Sequence, residues 1–263
     1  MLDALLFDLD GTLTETDALH LLALQQLLGE EGRVFTSEEF DQHVSGRANA
    51  DMCRYLFPER DLQAHQHFAD RKEERFRLLS PELKPIAGLM RLLDFAERQR
   101  IGRVVVTNAP RANADHMLGA LGLLEHFSQV VVAEELARAK PDPLPYLTGL
   151  QHLGASAEHM VGALGLLEHF SQVVVAEELA RAKPDPLPYL TGLQHLGASA
   201  ERALAFEDSI PGLTAAVRAG IFTVALTTAH SREALLAAGA HLVIDDFNDP
   251  QLWQLIEQRV AAR

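Results

Sequence analysis

Leu5-Leu6-Phe7-Asp8-Leu9-Asp10-Gly11-Thr12 sets a short apolar run directly against two acids, a glycine and a threonine. An unbroken apolar run predicts a strand buried on both faces, as in a parallel sheet covered by helices. The acids begin where that strand ends, and the two-residue alternation of extended chain sends Asp8 and Asp10 out of it in the same direction. Ligands of open parallel sheets bind beyond the carboxyl ends of the strands, so paired carboxylates there can hold a divalent cation. Turn capping is the plainer reading of Asp and Gly at such a place.

Further runs of the same kind follow: Val104-Val105-Val106, Val130-Val131-Val132, Val173-Val174-Val175, Leu204-Ala205-Phe206, Phe222–Leu226 and Leu242-Val243-Ile244. Helical segments are expected between them, at about residues 85–100, 111–121, 144–153, 210–219, 232–238 and 250–261. The alternation predicts an α/β fold with a doubly wound parallel sheet. The best-marked helix is 210–219, with Ser209 as N-cap, Pro211 in the first turn and Gly220 as stop. Its Leu213, Ala216 and Val217 share one face, and its alanines allow close approach to the sheet.

Between the first strand and residue 85 the spacing is helical with no convincing strand, over far more chain than a crossover needs. Residues 15–84 are therefore expected to form a separate helical cap, leaving 1–14 and 85–263 as the core. Within the cap, a charged helix over residues 61–79 carries Glu73, Glu74, Arg75 and Arg77, which read as a solvated face.

Polar residues also follow other strands. Thr107-Asn108 comes after Val106, and Glu207-Asp208-Ser209 after Phe206. Lys140 sits in the proline-stiffened stretch Ala139-Lys140-Pro141-Asp142-Pro143, and Lys183 in its copy Ala182-Lys183-Pro184-Asp185-Pro186. Each has a bland alternative as a strand end, a helix-capping acid or an exposed lysine. Together they suggest one crevice lined by a hydroxyl, a lysine and several carboxylates.

In these motifs, taken in order, the chain resembles the haloacid dehalogenase superfamily, in the branch of β-phosphoglucomutase and phosphoglycolate phosphatase-like enzymes. The resemblance implies a Rossmann-like core with an inserted helical cap and a phosphomonoester hydrolase acting on a small phosphorylated metabolite. It makes Asp8 the nucleophile that forms an aspartyl-phosphate and Asp10 the general acid and base. Thr107, Asn108 and the lysine, Lys140 or Lys183, would hold phosphoryl oxygens. Mg²⁺ would be bound by Asp8, Asp10, Glu207 and Asp208. Ser45-Gly46-Arg47 resembles the family's specificity loop, which makes Gly46 and Arg47 candidate substrate contacts, with a plain cap surface as the alternative for Arg47. Thr16 and His20 match positions with which the mutases control the acid/base aspartate, although such a histidine is more often a satisfied helix residue. Mutases of this branch carry a lysine and an arginine where this chain has Ser45 and Asn49. That departure favours release to water over retention of a bisphosphate, hence phosphatase over mutase.

Residues 116–158 are followed at once by 159–201, the same text with one change, Leu118 against Val161. Solenoids need three or more diverged units, so one copy is read as surplus. Lys140 is naturally spaced from Thr107, and Lys183 from Glu207. An excursion over 159–201 leaves and rejoins one loop, whereas one at Asp115 would split a helix, and this tilts the choice toward Lys140. The surplus copy would expose a strand edge and apolar helix faces, so a homo-oligomer, formed through that copy or by domain swapping, is expected. A chain whose repeat impairs its turnover is the second functional reading.

The totals agree with an ordinary globular enzyme, at 48% hydrophobic and 23% charged residues. A net charge of −14 excludes the basic footprint that nucleic-acid binding requires. Cys53 is the lone cysteine, no basic targeting segment precedes Asp3, and no apolar run reaches membrane length. A cytoplasmic protein with neither nucleic-acid nor membrane partners is the expectation.

Overall fold

A computed structural model describes residues 2–45, 47, 49–123, 129–130, 172–175, 183–195 and 198–261. Seven parallel strands form one sheet among these residues: β1 (Ala4–Phe7), β2 (Gly102–Thr107), β3 (Gln129–Val130), β4 (Gln172–Val175), β5 (Ala203–Glu207), β6 (Phe222–Leu226) and β7 (Leu242–Ile244). Their order is β3-β4-β2-β1-β5-β6-β7. The chain moves from β1 toward one edge, then returns across β1 to build the other side from β5. This reversal of winding is where open sheets of this kind place their ligands.

Four helices follow β1 before the chain returns to the sheet: α1 (Asp17–Glu30), α2 (Ser37–His43), α3 (Asn49–Leu56) and α4 (Leu62–Leu79). They share a core of their own, in which Leu24, Leu28, Phe40, Met52, Phe57 and Phe68 meet. Cys53 lies within it, where burial pushes the thiol up to about 11. The remaining helices are α5 (Leu89–Arg98), α6 (Arg111–Ala120), α7 (Leu187–His195), α8 (Ile210–Arg218), α9 (Arg232–Ala237) and α10 (Pro250–Ala261).

Strand alternation separates the two faces of the sheet. Leu5, Phe7, Val105, Leu204 and Phe206 pack with α5, α6 and α10, where Phe7 and Phe206 stack with centroids 4.9 Å apart. Ala4, Leu6, Val104, Val106 and Ala205 face Tyr189 of α7 and Ala215 and Ala216 of α8. The small residues on this second face let α8 lie close to the strands, as its alanines foretold. Its start is capped by Ser209, whose side chain accepts from the Gly212 amide at 3.2 Å. No helix among the described residues is long and apolar enough to cross a membrane.

Both repeat copies contribute to the sheet. β4, from the second copy, lies against β2, and β3, from the first copy, pairs with β4 in the register Gln129↔Gln172 and Val130↔Val173. The surplus copy, read as 159–201, was expected to expose a strand edge; instead its strand lies beside β2 and the first copy's strand pairs outside it, because a parallel edge accepts any strand of matching pattern. Helix α6 runs unbroken from residues before the repeat into the first copy. The slot beside β2 is thus filled by the start of copy one and the strand and lysine of copy two.

Candidate active site

Strand register brings the polar residues to one edge. Phe7 pairs with both Val105 and Phe206, so Asp8, Thr107 and Glu207 end neighbouring strands, with Asp208 directly after. Lys183 comes in from the segment beyond β4, next to β2. Asp8, Asp10, Thr107, Asn108, Lys183 and Asp208 line a crevice whose opposite wall comes from the cap, including Asp17, His20, Lys72 and Glu73. Among the sequence candidates, Lys140 and Gly46 lie outside the described residues. The tilt toward Lys140 therefore gains nothing, whereas Lys183 stands in the crevice.

Lys183 Nζ donates to Asp8 Oδ1 at 2.6 Å and also bonds Glu207 Oε1. Glu207 is fully buried behind it. Its Oε1 also accepts from Tyr189, and its Oε2 from Ser209 at 3.3 Å. Burial opposes the charged form of Lys183, but the carboxylates of Asp8 and Glu207 outweigh it and raise its pKa. For Asp8 the balance runs the other way. Burial and then repulsion from Glu207 hold its carboxyl well above the ordinary range, despite Lys183. Asp208 is raised well above that range by burial, then by Asp8 and Glu207.

Asp8, Glu207 and Asp208 can each offer an oxygen within 4.8 Å of the others. Three buried carboxylates share one lysine, which leaves two negative charges unbalanced, the charge of one divalent cation. An all-oxygen donor set of this kind suits Mg²⁺. Backbone space is reserved for it as well: a Cβ on Gly11 would lie 2.0 Å from Asp208 Oδ2, and one on Gly212 2.0 Å from Glu207 Oε2. Gly11 also has φ +70°, in the left-handed region that favours glycine.

The Asp10 side chain is not part of this cluster, contrary to its expected place among the metal ligands. Thr16 Oγ1 donates to Asp10 Oδ1 at 2.6 Å, and His20 Nε2 lies 3.0 Å from the same oxygen. These partners, on α1 and at its N-cap, hold the carboxylate from the cap side. Burial raises the Asp10 pKa, yet the His20 and Thr16 bonds prevail and leave it below the ordinary value. His20 stacks on Phe76 with centroids 3.8 Å apart, which fixes its ring. The plainer reading of His20 as a satisfied helix residue thus gives way to a contact with Asp10.

Thr107 is buried and accepts from the Ala109 amide at 3.0 Å. Arg47 is exposed at the rim and donates to the Gln42 carbonyl at 3.1 Å. Ser45 donates to Asp17 at 3.1 Å.

The charged helix α4 departs from its reading as a solvated face. Lys72 and Glu73 are both buried, with Lys72 Nζ 2.9 Å from Glu73 Oε1. Asn113 of α6 donates to Glu73 Oε2 at 2.6 Å and accepts from Arg77 at 2.7 Å. Periodicity carried the missing signal: Phe68, Lys72 and Phe76 recur every four residues, so Lys72 shares the apolar stripe.

A doubly wound parallel sheet with helices over a crevice of carboxylates and one lysine defines a capped α/β protein with its candidate site between sheet and cap. The sequence pattern of the haloacid dehalogenase-like hydrolases matches residues 5–163 and 155–226, and the chain belongs to that family. It is similar to validoxylamine A 7'-phosphate phosphatase of Streptomyces hygroscopicus subsp. limoneus, 28% identical over 93% of each chain. N-acetylmuramic acid 6-phosphate phosphatase of Pseudomonas aeruginosa is 32% identical over 58% of this chain and 69% of its own. Among solved structures, CbbY from Rhodobacter sphaeroides in complex with phosphate shares the fold with a TM-score of 0.70. It is 24% identical, over 95% of this chain and 96% of that one.

Proposed function

We propose that the protein is a Mg²⁺-dependent phosphatase that removes the phosphoryl group from a small phosphorylated metabolite through an aspartyl-phosphate on Asp8. One observation carries this reading. Lys183 is buried 2.6 Å from Asp8 and also bonds Glu207 of the three-carboxylate cluster, while the Asp10 side chain is held by Thr16 and His20. The arrangement gives two neighbouring acids different surroundings and hence different duties.

Asp8 attacks phosphorus and the ester bond to the leaving oxygen breaks. Asp10 gives that oxygen a proton, then takes one from the water that hydrolyses the aspartyl-phosphate. Asp10 rests ionised in the free protein, and an arriving anionic phosphate favours its protonated form. Thr16 and His20 both engage Oδ1, so Oδ2 is the atom left to handle the proton. Lys183, Thr107 and Asn108 hold phosphoryl oxygens. Bound by Asp8, Asp208 and Glu207, Mg²⁺ would offset the repulsion between two anions and stabilise charge in the transition state.

The relatives named as phosphatases of phosphorylated carbohydrate-like compounds support this reading. The mutase reading lacks a grip for a second phosphate, since Ser45 is engaged with Asp17 and Asn49 opens α3. Nothing favours a site disabled by the repeat, because a lysine is in contact with Asp8. The test is p-nitrophenyl phosphate hydrolysis with Mg²⁺ and with chelator. Chelator-sensitive turnover that Asp8→Asn abolishes is expected, and absence of turnover across a panel of phosphomonoesters overturns the reading.

A further inference from the structure

Resting on the phosphatase reading above, we propose that Glu73 sets the substrate class. By occupying Lys72 it denies the cap wall of the crevice a usable buried cation, and confines the enzyme to monophosphates whose far end is uncharged.

A lysine buried in a cap wall opposite a phosphoryl site is a ready grip for a second anion. Here that grip is already filled. Lys72 and Glu73 are each 5% exposed, adjacent on α4, and 2.9 Å apart across their charged atoms. Asn113 holds the second oxygen of Glu73 at 2.6 Å and is itself held by Arg77 at 2.7 Å, so the carboxylate is fixed from the core side and cannot swing away. Burial raises the pKa of Glu73, but Lys72 and then His20 outweigh it, so the group stays ionised. Two charges removed from water cost more than a hydrophobic pair would, so their position in a substrate crevice calls for a role there.

Among the other described residues of that wall, Phe40, Val44 and Met52 are apolar and add no charge. Asp17 and Ser45 are hydrogen-bonded to each other, and Asn49 offers only an amide. Arg47 is the remaining described cation of the wall, but it stands exposed at the rim, where water screens its attraction. A distal carboxylate or phosphate would meet Glu73 and Asp17. An uncharged distal end would meet no such repulsion.

The test uses a pair of compounds that differ only at the far end, glycerol 3-phosphate and 3-phosphoglycerate, as competitors of p-nitrophenyl phosphate hydrolysis by the Mg²⁺-loaded protein. The parent should bind glycerol 3-phosphate more tightly by about tenfold or more, because like charges in a crevice repel strongly. Glu73→Gln should shift the ratio of inhibition constants toward 3-phosphoglycerate by about tenfold, and Lys72→Met should shift it the opposite way. Each ratio is internal to one variant, so a general loss of stability does not move it. Equal inhibition constants in the parent, or a ratio that neither variant moves, overturns the proposal. Absence of p-nitrophenyl phosphate hydrolysis in the parent would instead refute the phosphatase reading on which it rests.

Discussion

Gly212→Ala tests whether Glu207 is clamped as described. Gly212 is the third residue of α8, and a Cβ there would lie 2.0 Å from Glu207 Oε2 and 2.2 Å from Cδ and Oε1. A glutamate carboxylate ends a flexible side chain and would ordinarily step aside. This one is fully buried and tied to Lys183, Tyr189 and Ser209, so a retreat of roughly 1 Å or more breaks those bonds. Disrupting a buried ion pair costs about 3–5 kcal/mol. Alanine's better helix propensity returns at most about 1 kcal/mol. The expected net loss is about 2–4 kcal/mol of folding stability. Because Lys183 moves with Glu207, the rate should also fall on the order of 10²-fold. Urea unfolding reads the first quantity, and Mg²⁺-dependent p-nitrophenyl phosphate hydrolysis the second. If the alanine variant is as stable as its parent, or more so, and keeps its rate within about threefold, Glu207 is not clamped and the reasoning fails.

Lys183→Met should lower the rate by about 10²-fold or more, whereas Lys140→Met should change it little; equal losses would mean that the two copies share the slot. Stability should track Glu73 and Asp10 in acid. Their pKa values are lowered on folding, so their contribution is present above the ordinary carboxylate range and is lost as pH falls through the folded values. Glu73→Gln should therefore flatten the acid limb of a melting-temperature profile, and an unchanged limb contradicts this. Asp8 and Asp208 are raised, so Mg²⁺ must compete with protons there: affinity should weaken as pH falls and binding should release protons, which calorimetry in two buffers detects. With β3 the end strand of the sheet among the described residues, we still expect self-association, with the full chain eluting from gel filtration as a larger assembly than a version lacking residues 159–201. Matching monomeric elution would rule it out.

The sheet was legible because its strands are buried on both faces, which forces unbroken runs such as Leu5-Leu6-Phe7 and Leu204-Ala205-Phe206. Strand ends were legible for the same reason, since acids cannot continue such runs. What the sequence could not reveal was the direction in which a long side chain turns once several partners compete for it. Asp10 belongs by spacing with Asp8, and only the family resemblance, through Thr16 and His20, pointed to the partners that hold its side chain. Glu207 belongs by spacing with Asp208, but it reaches back to Lys183 and Tyr189. Lys72 and Glu73 were hidden by composition, because a charge-rich helix looks solvated until the phase set by Phe68 and Phe76 is followed. The choice between Lys140 and Lys183 was beyond reach, as identical text has identical propensities.

Among the described residues the end strand of the sheet pairs Gln129 and Val130 with their own copies, Gln172 and Val173, and this shows where the architecture tolerates growth. A parallel sheet lengthens at its margin by adding a strand that needs only the one beside it, so extra chain can dock there while the chemistry stays inboard on β2, β1 and β5. The protein's border and its reaction centre are therefore free to vary separately, and a segment written twice need not spoil what is done once.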